Sequence, residues 1–122
     1  MSVMNLEGDL GTCLTYNPIH GIDDDTVTEV LAEIIGDNDG PDWAWVVSLK
    51  DGKFAGIVGG CDYTGWDCRS SASGEFFDSA DEAAVWCTDG SHLSLPSAEA
   101  LVELRSQIQK AKPVASRTQP FT

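Results

Sequence analysis

The chain has 122 residues, a formal net charge of −13 and a hydrophobic fraction of 42%. This length favours a single domain with its own core, and the apolar fraction is typical of folded chains. The charge argues against direct binding to nucleic acid, which requires Lys and Arg to neutralise phosphates, and against an anionic membrane surface. No apolar run in the sequence is long enough to predict a membrane span.

The first 35 residues predict irregular structure followed by one helix. Residues 1–22 contain several Gly and a Pro, with one short strand predicted over 12–16. A helix is predicted over 23–35, where Thr26 and Glu29 have the spacing of a capping box. Four apolar residues recur there at helical spacing, namely Val27, Val30, Leu31 and Ile34.

The predicted helix and the loop after it lie in the most acidic part of the chain. Ten of the 20 acidic residues fall within residues 1–49, which contain no Lys or Arg. Basic residues interleaved on the helix would have stabilised it, so we interpret their absence as a sign of an anionic face that binds a basic partner. The predicted binding residues are Asp25, Glu29 and Glu33 on the helix and Asp37, Asp39 and Asp42 in the loop.

A hairpin is predicted over residues 43–60. Its first strand alternates, with Trp43, Trp45, Val47 and Leu49 on one face. Asp51-Gly52 then forms a two-residue turn, because these residues tolerate the backbone angles that a tight turn requires. A return strand follows over 54–60, and a third strand, antiparallel to the second, is predicted over 70–77.

Two helices are predicted after the last strand. Ser79 and Glu82 form a capping box that begins a helix ending near Cys87. A last helix over 97–110 places Ala98, Leu101, Leu104 and Ile108 inward. Residues 113–122 predict a loose tail. The sequence therefore predicts an α+β fold, with a single domain over 1–112 and a three- to four-stranded antiparallel sheet with helices packed on one face.

The loop between the second and third strands has the most distinctive sequence. Cys61-Asp62-Tyr63-Thr64-Gly65-Trp66-Asp67-Cys68 contains two thiols, two carboxylates and two aromatic rings in eight residues. Together with the Trp-rich strand and the Asp-Gly hairpin, this loop resembles a segment of small uncharacterised bacterial and phage proteins. The resemblance covers Trp43 to Glu82 and implies one structural unit, but no activity. The N-terminus has no secretion signal, which predicts the cytoplasm, here that of a bacterial host cell.

Three interpretations are open for the cysteines of this loop. Cys61 and Cys68 could bind zinc with Cys87 and His92, although six intervening residues exceed the usual spacing of a ligand pair. Cys61 and Cys68 could form a disulfide, which a reducing cytoplasm opposes. The favoured interpretation is that both are free thiols in the core at the strand ends, with no metal or cofactor.

Two aromatic residues of the loop are candidates for partner binding. Trp66 lies beside Gly65 in the middle of the loop, where core packing is harder to supply, so we expect it to be partly exposed and to anchor a partner with Tyr63. Catalysis is not predicted, because neither His20 nor His92 forms a recognisable signature with a cysteine.

The sequence therefore predicts a small acidic inhibitor or adaptor, of the kind that phages encode. Its anionic face would dock on a basic, nucleic-acid-binding surface of a partner protein and imitate a phosphate backbone. Two alternatives stay open. One is a metal- or redox-stabilised module that uses the cysteines, and the other is a small ligand-binding or enzymatic domain around the 61–68 loop. The partner's identity and the oligomeric state are not predicted.

Overall fold

The computed structural model describes residue 6, residues 8–90, residue 93 and residues 95–116, with only the backbone of residues 112–116. The elements in this part are α1 (Gly8–Tyr16), β1 (Val27–Ile34), β2 (Trp43–Leu49), β3 (Phe54–Cys61), β4 (Ser70–Phe77), α2 (Ala80–Thr88) and α3 (Ser97–Ser116). The strands form a four-stranded antiparallel sheet in the order β1-β2-β3-β4. The predicted α+β class and the strands predicted over the 43–60 hairpin and over 70–77 are confirmed.

Side chains of β2 alternate between the two faces of the sheet, as the sequence predicts. Trp43, Trp45, Val47 and Leu49 pack with Leu10, Cys13 and Leu14 of α1. Ala44 and Val46 point to the other face and pack with α2 and α3. The sheet therefore carries a core layer on each face, with α1 covering one and the two later helices covering the other. The prediction that the helices pack on one face is wrong, because α1 was not predicted as a helix.

Two glycines of β3 let helices approach the sheet closely from opposite faces. A Cβ atom added at Gly56 would lie 2.9 Å from the backbone oxygen of Ala83 in α2. One added at Gly59 would lie 2.9 Å from the Cys13 sulfur in α1. Because real Cβ atoms do not approach other atoms so closely, a larger residue at Gly56 would force α2 away from the sheet.

The helix predicted over 23–35 is wrong, because β1 occupies most of this stretch and residues 23–26 form a turn before it. The Thr26 hydroxyl accepts a hydrogen bond from the Asp23 N–H at 2.9 Å. The Asp23 carboxylate in turn accepts from the N–H groups of Asp25 and Thr26. Asp and Thr side chains can cap a turn as readily as a helix, and here Thr26 caps a turn with Asp23 instead of the predicted helix with Glu29.

The apolar spacing of β1 resembles that of a helix because the strand is irregular. Its pairing with β2 shifts register between Val27 and Glu29 and again between Val30 and Ala32. The shifts place Val27 and Val30, opposite Leu49 and Val47, on the α1 side of the sheet, and Ala32 on the other side. The β-branched residues of this stretch favour a strand, and that signal should have outweighed the spacing.

The remaining helices differ from prediction mainly at their bounds. Residues 12–16, predicted as a strand, belong to α1. Ser79 caps α2 as predicted, since its hydroxyl accepts from the Glu82 N–H at 3.1 Å and lies 3.1 Å from the Glu82 carboxylate. α3 extends beyond 110 to Ser116, and Ala100 is buried where Ala98 had been expected. Residues 117–122 of the predicted tail lie outside the described residues.

The two outer strands of the sheet, β1 and β4, differ in what contacts their outer edges. Beside β1, the Gln107 side chain of α3 accepts from the Glu33 N–H at 2.8 Å and donates to the Glu33 carbonyl at 2.9 Å. In the described part of the chain, no strand pairs with the outer side of β4. No helix found among the described residues has both the length and the apolar character needed to cross a bilayer.

Candidate functional site

Two acidic loops meet at one end of the sheet. The β1–β2 connection covers residues 35–42 and the β3–β4 connection covers residues 62–69. Both lie at the same end, because the strands that they join are antiparallel neighbours in a meander. The Asp39 N–H donates to the Cys61 carbonyl at 2.8 Å and so ties the first loop to the start of the second. We call residues 35–42 and 62–69 the acidic end.

The acidic end surrounds an open depression of about 430 Å³. Asp39, Asp42 and Asp62 line it, together with Gly60, Arg69 and Ser70. The aspartates of the two loops are Asp37, Asp39, Asp42, Asp62 and Asp67, whereas Arg69 is the basic residue that they contain. The Arg69 side chain is 86% exposed, and its Nε lies 3.9 Å from an Asp62 oxygen, so it neutralises little of this charge.

Local hydrogen bonds hold the 62–69 loop in shape. The Asp62 carboxylate accepts from the backbone N–H and from the hydroxyl of Thr64. These bonds, and then the charge of Arg69, hold the pKa of Asp62 below its usual range. Gly65 has φ 97°, a left-handed conformation that glycine adopts without strain. The loop thus presents an ionised, preorganised carboxylate.

The two aromatic side chains of this loop have different surroundings. The Trp66 ring lies 4.9 Å from that of Trp43, centroid to centroid, at an angle of 55°. Trp66 is partly exposed, as predicted, yet it also packs against the α1-side core. Tyr63 is 77% exposed. Of the two, Tyr63 is the side chain that is free to contact a partner, whereas Trp66 also stabilises the fold.

The binding residues predicted from the sequence do not form one surface. Asp25 precedes β1 and lies at the opposite end of the sheet from the acidic end, while exposed Glu29 lies on β1. The predicted row of Asp25, Glu29 and Glu33 along a helix therefore does not exist. The structure does bring together Asp37, Asp39, Asp42, Tyr63 and Trp66 at the acidic end, and it adds Asp62 and Asp67 to them.

Two carboxylates of the acidic N-terminal stretch accept hydrogen bonds from buried tryptophans. The buried indole of Trp45 donates to Glu33 Oε2 at 2.8 Å, and that of Trp43 donates to Asp9 Oδ2 at 2.7 Å. A buried indole N–H needs an acceptor, so two alternating core tryptophans were the available signal for these roles. Glu33 is thus a structural residue, and its predicted role in docking is not supported by its position.

The cysteines proposed for zinc are not brought together. Cys61 packs with the α1-side core, whereas Cys87 lies on the opposite face of the sheet between β3 and α2. Cys68 is exposed in the loop, and His92 lies outside the described residues. Among the residues that the structure describes, no three His, Cys, Asp or Glu side chains form a group that could hold a metal ion.

The four thiols are free and differ in environment. Burial raises the pKa of Cys13 and of Cys87 to about 12, with the nearby Cys61 thiol adding to the effect at Cys13. The pKa of Cys61 is also raised, first by burial and then by carboxylates led by Asp62. None of these three is an activated nucleophile. The expected core position holds in part for Cys61 and is wrong for exposed Cys68.

Comparison of the chain with protein-family models, with curated proteins and with solved structures finds no match in any of the three. The resemblance to small bacterial and phage proteins stays a prediction.

Proposed function

We propose that this chain is a small protein-binding module, an inhibitor or adaptor, that docks its acidic end on a basic surface of a partner protein. One observation supports the proposal most directly. Two loops from different strand connections are joined by the Asp39–Cys61 hydrogen bond, and carboxylates from both loops line one open depression. Exposed Tyr63 belongs to the second loop.

The physical chemistry of the acidic end suits such a role. Charges within about 8 Å of a partner interact with little screening at physiological salt, so clustered carboxylates would accelerate encounter with a basic cleft. Exposed Tyr63 supplies apolar area and a hydroxyl, which is the combination enriched at binding hot spots. Loops already held by their own hydrogen bonds lose less entropy on binding.

The partner surface that best complements the acidic end is one that binds nucleic acid. Such surfaces carry Lys and Arg arranged to neutralise phosphates, and an array of carboxylates can take the place of those phosphates. Binding there would block access of the nucleic acid. We therefore propose inhibition of a bacterial nucleic-acid-binding protein in the cytoplasm, as phage-encoded inhibitors do.

The experiment compares two double variants of equal charge. Asp37→Asn with Asp39→Asn removes two charges from the acidic end, and Asn tolerates the left-handed backbone of Asp39, whose φ is 58°. Asp25→Asn with Glu29→Gln removes two exposed charges near the other end of the sheet. Basic proteins captured from bacterial lysate at low salt should be lost with the first variant, retained with the second, and released by duplex DNA.

Equal loss of capture with both double variants would mean that net charge alone governs binding. Capture that resists both variants and added salt would contradict an electrostatic partner altogether. Circular dichroism of each variant checks that the fold is intact.

A further inference from the structure

We infer that the outer edge of β4 binds an extended basic segment of the partner as a fifth strand of the sheet. This inference rests on the proposed function, from which it takes the basic charge of the partner. What it adds is that the partner binds as an extended strand. The observations that carry it are the direction of the β4 backbone groups, the contrast with the β1 edge, and the charge at the two ends of β4.

The backbone of β4 has hydrogen-bonding groups that point away from the sheet. The Asp62 N–H donates to the Arg69 carbonyl at 3.1 Å, which is one of the two bonds of a hydrogen-bonded pair and fixes the alternation at the start of the β3–β4 ladder. In an antiparallel ladder every second pair is of this kind, so Ser71, Ser73 and Glu75 direct their backbone groups towards β3. Ala72 and Gly74 therefore direct their N–H and C=O groups outward.

The β4 edge lacks the features that protect the β1 edge. β1 carries two register shifts, and Gln107 occupies the outward backbone groups of Glu33. β4 pairs with β3 through eight consecutive residue pairs without a shift, and it contains no Pro, Lys or Arg. Natural proteins commonly block outer strands with bulges, charges or a covering side chain. An unblocked edge on one side only is consistent with a strand-binding site there.

Carboxylates lie at both ends of this edge. At its start is the depression of the acidic end, lined by Asp62 and by Ser70 and Ser71 of β4. At its other end is a second depression of about 450 Å³, lined by Asp78 and Glu82 beside Phe76 and Phe77. Lys53 forms an ion pair with Asp78 there and offsets one charge. Eight strand residues span roughly 25 Å, so an added strand would have each of its ends beside carboxylates.

This arrangement defines the chemistry of the occupant. The segment should be extended, with Lys or Arg about seven residues apart and uncharged residues between them. A second copy of this chain fits less well, because pairing of two β4 edges would bring together the acidic depressions of two molecules that each carry a net charge of −13.

The probe for the experiment is the peptide acetyl-Lys-Thr-Val-Thr-Val-Thr-Val-Lys-amide, added to the isotope-labelled full chain. Saturation should shift the amide resonances of Ala72 and Gly74 and slow their hydrogen exchange at least about tenfold. Two versions of the peptide carry N-methyl groups on alternate sets of residues. The version methylated on the N–H groups that face β4 should not bind, and the version methylated on the N–H groups that face solvent should still bind. Replacing both lysines with norleucine should weaken binding at least about tenfold at low salt.

Several outcomes would overturn the inference. Equal binding of both N-methylated peptides, with shifts confined to the acidic end, would leave the proposed function standing without the strand addition. No binding at millimolar peptide would also overturn it, because the probe supplies both the backbone and the two terminal lysines that the inference requires. Protection of Ala72 and Gly74 without peptide, in a concentration-dependent dimer, would assign the edge to a second copy. If the norleucine peptide binds as tightly as the lysine peptide, the inference that the bound segment is basic is wrong.

Discussion

The side-chain carboxamide of Gln107 pairs with the backbone of Glu33 as a neighbouring strand would. Its oxygen accepts from the Glu33 N–H at 2.8 Å, and its nitrogen donates to the Glu33 carbonyl at 2.9 Å. The same nitrogen also donates to Glu103 at 2.8 Å, which fixes the orientation of the amide. One residue of α3 thus provides hydrogen-bond partners for the N–H and C=O groups of Glu33 at the β1 edge, and it attaches the helix to the sheet.

Replacement of Gln107 with Ala should expose this edge. Loss of two hydrogen bonds that each contribute about 0.5–1.5 kcal/mol should lower the free energy of unfolding by about 1–3 kcal/mol. Hydrogen exchange of the Glu33 amide should accelerate. Gln109→Ala is the matched control, since Gln109 is exposed on the same helix and should tolerate the change. Equal effects of the two substitutions in denaturant melts would show that helix propensity, not the edge contact, is responsible.

Stability should depend on Glu33 but hardly on Glu29, although both are acidic residues of β1. Glu33→Ala leaves the buried Trp45 indole N–H without its acceptor and should cost about 1–3 kcal/mol of stability. Glu29 is exposed, so Glu29→Ala should change stability by less than about 0.5 kcal/mol. Thermal unfolding measures both, and near-ultraviolet circular dichroism should report the altered Trp45 environment. A Glu33→Ala protein as stable as the wild type would contradict the structural role.

Substitution of Trp66 should mainly lower stability, whereas substitution of Tyr63 should mainly weaken partner binding. Trp66→Ala removes the ring that contacts Trp43 and should lower stability by about 1–3 kcal/mol, less than the roughly 3–5 kcal/mol of a fully buried Trp. Tyr63→Ala should leave the melting temperature unchanged and should weaken capture of the partner. If Tyr63→Ala destabilises the protein as much as Trp66→Ala, the distinction between the two side chains is wrong.

The buried thiols should make the protein sensitive to alkali. Burial raises the pKa of Cys13 and Cys87 from 9.0 to about 12, so above about pH 9 the unfolded chain loses thiol protons that the folded chain keeps. Stability should then fall by about 1.4 kcal/mol per pH unit for each thiol until about pH 12, with no such loss below pH 9.

Variants lacking single thiols isolate this effect from other groups that titrate in alkali. Cys13→Ala and Cys87→Ala should each reduce the slope of unfolding free energy against pH. Cys68→Ala is the control for loss of a thiol as such, because Cys68 is exposed in the folded protein. Identical slopes in all three variants would show that the buried thiols do not cause the alkaline loss.

Local signals in the sequence were sufficient for the central hairpin, β4 and α2. The alternation of Trp43 and Trp45, the Asp-Gly turn and the Ser79 cap each have one dominant structural meaning. β1 was missed because its register shifts depend on pairing with β2, which no local pattern records. α1 was missed because its stability comes from Leu10 and Leu14 packing on the sheet rather than from its glycine-containing sequence.

The candidate site could be predicted only in part for the same reason. The acidity of residues 37–42 and the two aromatic residues of the 61–68 loop were evident in the sequence, but the sequence indicated Trp66 rather than Tyr63 as the exposed one. Their proximity depends on a meander that places both loops at one end of the sheet. The assignment of Asp9 and Glu33 to buried indoles depends on tertiary contacts across 34 and 12 residues, which composition cannot reveal.

The meander also bears on the order in which the protein folds. Each strand pairs with the strand next to it in the chain, so the sheet can grow from the β2–β3 hairpin by short loop closures that cost little entropy. The contact between Gln107 and Glu33 spans 74 residues and can form only when α3 reaches the completed edge. Refolding followed by pulsed hydrogen exchange should therefore show amides of β2 and β3 protected before that of Glu33, with α3 docking as the last step to native structure.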